Sequence, residues 1–161
     1  TSMRQNKGRC SPRPCLPPGS HGFGDLRVAD YIETDSREIT LALIDDFAEM
    51  TGDRFAIHMS DEAARAMGFP CRVAHGLFVL SVIDGLKNNT PAQFRALASL
   101  GWDWAFSAPV LAGDSVQARL TVEAMRPTSD GRRGILTLAV EVRNQRGEIV
   151  QRGYNRLMVW R

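Results

Sequence analysis

Apolar positions recur at helical intervals early in the chain and alternate with polar ones late in it. In "EITLALIDDFAEMTG" the residues Ile39, Leu43, Ile44, Phe47 and Ala48 fall on one helical face, with Thr40 placed as N-cap and Gly52 as C-cap. Ser60, followed by Asp61 and Glu62, opens a second short helix that Gly68 and Pro70 stop. "RVAHGLFVLSVIDGLKN" predicts a third helix, apolar nearly all round from Leu77 to Leu86 and therefore buried. Beyond it the period changes to two. In "SVQARLTVEAM", Val116, Ala118, Leu120, Val122 and Ala124 share one face. Polar turns "PTSDGRRG" and "QRGE" then separate "ILTLAVEVRN" from "IVQRGYNRLMVW", and "WDWAFSAPV" supplies a further strand ahead of "LAGD". Consecutive antiparallel strands preceded by one long buried helix predict an α+β domain.

The first 22 residues break this patterning. They hold four of the eight prolines and almost no large apolar residue, so residues 1–22 read as a flexible tail, His21 included, and 23–161 as the domain. A chain of 161 residues, 43% hydrophobic and 24% charged, has the composition of one soluble domain. A formal net charge of +2, with Lys and Arg dispersed, gives no footprint for nucleic acid. No apolar run is long enough for a membrane helix, and the basic first residues lack the apolar segment of a signal peptide. Cys10, Cys15 and Cys71 form neither a disulfide framework nor a zinc knuckle, which makes a cytoplasmic setting the expectation. Cys71 and His75 share a helical spacing, but no second pair of metal ligands accompanies them.

Two stretches carry candidate chemistry. "TGDRFAIH" places Asp53 five residues before His58, with apolar Phe55, Ala56 and Ile57 between them that can exclude water. The two are either an acid/base pair or a turn-capping aspartate and a half-buried packing histidine. "FPCRVAHGLF" puts Gly76 in the first turns of the buried helix, where backbone N–H groups lack intrahelical partners and an oxyanion can sit. The alternative there is a close-packing glycine, and His75 reads as a capping or structural residue. Alternating Trp102, Trp104 and Phe106 read as core or interface, and Asp114 as a turn former.

Taken in order, the helix, "TGDRFAIH", the short helix, "RVAHGLFVLSVI", "PVLAGD" and the strands resemble the MaoC-like hydratases and dehydratases, over about residues 24–160. That family includes the (R)-specific enoyl-CoA hydratases. Its signature runs Gly, Asp, any residue, Asn, Pro, aliphatic, His; here Gly52, Asp53 and His58 match, and Phe55-Ala56 replace Asn-Pro. The resemblance implies a hot-dog fold, a bent antiparallel sheet wrapped round the helix, assembled at least as a homodimer. It implies that Asp53 and His58 activate water for addition to a 2-enoyl thioester, giving a (3R)-hydroxyacyl product. Gly76 would then offer its N–H to the thioester carbonyl. No metal or redox cofactor is expected, and coenzyme A enters only as part of an acyl-CoA substrate, its phosphates met by Arg54, Arg72 or Arg95. A non-catalytic acyl-CoA-binding protein and an acyl-CoA thioesterase are the alternative readings.

Overall fold

The computed structural model describes residues 13–161. In chain order the elements are β1 (Gly19–His21), a 3-10 turn (Phe23–Asp25), β2 (Tyr31–Glu33), β3 (Arg37–Glu38), α1 (Leu41–Thr51), α2 (Ala56–Met59), α3 (Asp61–Ala66) and α4 (Gly76–Lys87). They are followed by β4 (Ala92–Phe94), β5 (Ala96–Phe106), β6 (Ser115–Pro127), β7 (Arg133–Asn144) and β8 (Ile149–Trp160).

The late strands form one sheet in the order β2-β6-β7-β8-β5, with β3 also paired to β6, and every pairing in it is antiparallel. Alternation puts Val116, Leu120, Leu136, Leu138, Val140, Val142, Leu157 and Val159 on the inner face. Phe78, Val79 and Ile83 of α4 join them in a single core cluster. Full burial of a side chain such as Ile83 is worth about 1.5–3 kcal/mol, which is what holds the helix in the sheet's concavity. This is the hot-dog arrangement.

The structure departs from the sequence expectation in several places. The alternation of β6 slips at a bulge between Val122 and Ala124, so Ala124 turns outward and Met125 packs against the core instead. The third helix begins at Gly76, after an extended segment in which Val73 bridges Leu111, and its Leu77 is 62% exposed. One face of α4 meets the sheet, and the other is open in the single chain. The aromatic strand runs from Ala96 to Phe106 and stops short of Val110, because Ser107 and Ala108 both donate to the carbonyl of Val150 and turn the chain.

Residues 1–12 of the expected tail, Cys10 among them, lie outside the described residues. The remainder of that tail is ordered: Cys15 bridges Tyr31, and β1 pairs in parallel with β4. Backbone groups carry the pairing of β1, with Gly19 N–H donating to Pro91 and Arg95 N–H to the His21 carbonyl, and Leu16 packs against the core. The imidazole Nε2 of His21 lies 2.7 Å from the Pro17 carbonyl, among its own loop.

Candidate active site

The site forms where the end of α1 meets the start of α4. Thr40 caps α1, its hydroxyl accepting from the Leu43 amide at 3.2 Å, and Gly52 ends it in the left-handed region at φ 77°. That reversal throws Asp53 out of the helix. The Asp53 amide donates to Thr51 Oγ1, and Asp53 Oδ1 accepts from the Phe55 amide, both at 3.2 Å. This side-chain turn does locally what an asparagine would do. Phe55 is then the N-cap and Ala56 the first residue of α2, the position at which proline is favoured. The Phe55-Ala56 pair therefore sits in the same kind of turn that Asn-Pro would build.

Helix α2 carries His58 inward, where it is buried. Its Nδ1 lies 2.6 Å from the carbonyl oxygen of Val73. A carbonyl can only accept, so Nδ1 carries the proton and Nε2 keeps its lone pair. Burial pushes the His58 pKa down from 6.5; the Val73 hydrogen bond opposes this, the neighbouring His75 adds to it, Asp53 raises it and Arg72 lowers it. His58 is thus poised as a neutral imidazole.

His75, next to the helix start, brings its Nε2 to 2.8 Å from the main-chain carbonyl of Asp53. Its ring stacks on His58 with centroids 3.9 Å apart and planes inclined by 27°. One carboxylate oxygen of Asp53 and one ring nitrogen from each histidine lie within 4.8 Å of one another. These three are the group among the described residues that could offer donors to a metal ion, but near-parallel imidazoles direct their in-plane lone pairs side by side rather than onto one centre. The same separation suits a shared water, which needs about 2.6–3.2 Å to each partner.

Gly76 is the first residue of α4, so its N–H has no intrahelical acceptor. A Cβ there would lie 2.7 Å from the end of the Phe106 ring, so any larger residue requires the ring or the start of α4 to shift. Its carbonyl accepts from Gln151 Nε2 at 3.0 Å, and Gln151 Oε1 in turn accepts from Trp104 Nε1 at 2.9 Å. Asp53, His58 and Gly76 are thereby brought to one corner of the domain. The sequence reading took His75 as a capping or structural residue and did not single out Gln151. A stack across 17 residues and a buried amide on a distant strand leave no local signature.

The three arginines considered for phosphate binding are all engaged. Arg72 is mostly buried: its Nε donates to the His58 carbonyl at 2.6 Å, its amide to Asp61, and its guanidinium pairs with Asp45. It ties α1 to α2 and α3. Arg54 pairs with Glu49, and Arg95 donates to the Arg161 carbonyl at 2.7 Å, with Asp25 at 3.9 Å; both stay about half exposed.

Comparison with known proteins places this corner in context. The model of a family described as a MaoC like domain matches residues 27–144. The chain is 36% identical over 100 residues to the protein MaoC of Klebsiella aerogenes, covering 62% of this chain and 30% of that one. It is 34% identical over 108 residues to a 3-hydroxybutyryl-CoA dehydratase of Methylorubrum extorquens, covering 65% of this chain and 66% of the relative. The chain therefore spans less than two thirds of the length of either. Among solved structures, a MaoC-like dehydratase from Rhodospirillum rubrum superposes with a TM-score of 0.81 at 27% identity, covering 88% of this chain and 97% of the other. The (R)-hydratase of A. caviae gives a TM-score of 0.69 at 25% identity, covering 83% and 97%.

Proposed function

The chain belongs to the MaoC-like domain family, and from that premise we propose that it is a hydratase/dehydratase that adds water reversibly to a 2-enoyl thioester, giving a (3R)-hydroxyacyl thioester. The observation that carries this reading is the placing of the Asp53 carboxylate and the neutral His58 imidazole close enough to hold one water, beside the free N–H end of α4. The naming of relatives as a 3-hydroxybutyryl-CoA dehydratase and an (R)-hydratase supports an enoyl-CoA substrate and the R product.

In the hydration direction the Asp53 carboxylate takes a proton from water, and the hydroxyl adds to C3 of the enoyl group. His58, its Nδ1–H fixed on Val73, orients the water through the Nε2 lone pair, and the proton taken up by Asp53 is then delivered to C2, which restores the carboxylate. The Gly76 N–H meets the thioester oxygen as negative charge builds there, reinforced by the positive end of the helix dipole. These steps are proton transfers and one addition, and they call on no redox cofactor or metal. Coenzyme A serves as the carrier of the acyl group. Arg54, next to Asp53 in the chain and half exposed, is better placed than buried Arg72 to meet its phosphates, while Arg95 is held against the Arg161 carbonyl.

Incubating the protein with crotonyl-CoA while following enoyl absorbance and free thiol together tests the reading. Loss of absorbance without thiol release is expected. Thiol release with the enoyl group intact identifies a thioesterase, and acyl-CoA binding without either change identifies a binding protein.

A further inference from the structure

The reaction proposed above gives His75 no task, yet His75 is only 2% exposed and touches both members of the acid/base pair. Its Nε2–H donates to the main-chain carbonyl of Asp53, since that carbonyl can only accept. This bond spans 22 residues and ties the turn after α1 to the start of α4. Asp53 itself is exposed, and the contacts that otherwise fix it are made within residues 51–55. The longer tie is what sets the aspartate against the rest of the site.

The other nitrogen, Nδ1, is buried with no hydrogen-bond partner. With the proton on Nε2, Nδ1 holds a lone pair that no group among the described residues meets. The ring packs on His58 at 3.9 Å and on Phe47 of α1 at 4.9 Å, so it has little room to swing. We infer that His75 is a positioning residue for the Asp53/His58 pair: it clamps the Asp53 main chain through Nε2 and buttresses the His58 ring face to face, so that His58 presents the Nε2 lone pair to the water as a neutral acceptor.

The inference rests on the Asp53/His58 reading for its kinetic consequence, but the clamp and the stack exist without substrate. The charged and titratable groups facing His58 are Asp53 on the turn, His75 before α4 and Arg72 on the segment before it, with Asp45 of α1 holding the Arg72 guanidinium. Removing the His75 ring removes the face stacked on His58, so the His58 ring protons will sense its loss directly.

Two variants separate the roles. H75Q can still donate from the position of Nε2 but loses the aromatic face and the titratable group; H75F keeps an aromatic face and loses the donor. With crotonyl-CoA as substrate, H75F is expected to lower kcat at least about tenfold with KM within about twofold, and H75Q to recover most of that loss. In substrate-free protein, imidazole NMR is expected to show His58 as the Nδ1–H tautomer in the wild type, with its ring-proton resonances displaced in H75Q, which lacks the stacked face, and much less so in H75F. Equal impairment of kcat in H75F and H75Q overturns the clamp. Unchanged His58 ring resonances in H75Q overturn the buttress between the rings. If the wild type turns over no enoyl thioester, the proposed reaction fails, and the NMR comparison still decides whether His75 positions His58. If H75F does not fold, H75Q carries that comparison.

Discussion

At the scale of single residues the account turns on how two ordinary side chains acquire complementary states. Asp53 stays exposed and His58 is buried with its proton fixed, so one is a solvated carboxylate and the other a neutral imidazole. Asp53→Asn keeps the acceptor for the Phe55 amide, so it should leave thermal unfolding within about 0.5 kcal/mol of wild type while lowering kcat by about 100-fold or more. The His58 pKa lies below 6.5 because burial disfavours its charged form. The sign follows: the unfolded chain binds a proton near pH 6.5 and the folded one only at lower pH, so stability is complete above 6.5 and declines as pH falls through the folded value. The acid limb of kcat/KM should likewise lie below pH 6.5, and a limb above it would show that His58 is not the neutral acceptor that holds the water. The closeness of Asp53 and His58 was legible in "TGDRFAIH", but their types and spacing left an acid/base pair and two structural residues both open, and the catalytic role came from the family resemblance. The part of His75 was not legible, because its contribution comes from a stack and a carbonyl contact that exist only after α2 and α4 meet.

At the scale of elements, caps and periodicity were readable and short or edge elements were not. Thr40, Gly52 and Ser60 act where the sequence placed them, and Ser60 Oγ accepts from the Ala63 amide at 3.2 Å. Helix α2 is four residues long, too short to display a period, and the apolar triplet Phe55-Ala56-Ile57 read as loop. Strand β5 was only half visible since residues 96–100 are exposed and show no alternation. The α2 geometry makes a specific forecast. Phe55 has φ −57° and ψ 136°, which a following proline tolerates, and Ala56 occupies the first helical position. Ala56→Pro should therefore stabilise the protein by about 0.4–1 kcal/mol in denaturant unfolding, and a loss of stability would show that the turn is not as described. Gly76→Ala has the opposite prospect: its Cβ meets the Phe106 ring at 2.7 Å, so the ring or the start of α4 must move and turnover should fall more than folding does.

At the scale of the molecule, the sheet and the helix in its concavity follow from the change of period along the chain, and the parallel pairing of β1 with β4 does not, because it rests on backbone bonds alone. Among the described residues β5 pairs only with β8, leaving its outer edge open, and Leu97, Leu100 and Phe106 on it are each more than 40% exposed. An unpaired edge with that much apolar surface is a template for a second copy. We propose a homodimer, to be checked by sedimentation equilibrium; a monomer across the assay concentrations would contradict it. The central claim is that Asp53 and His58 together activate water for addition to an enoyl thioester. The most direct measurement is the enoyl absorbance of crotonyl-CoA with wild type, Asp53→Asn and His58→Ala side by side, each shown to be folded. Rapid loss of absorbance with the wild type and almost none with either variant is the predicted result, whereas comparable rates in all three would contradict it.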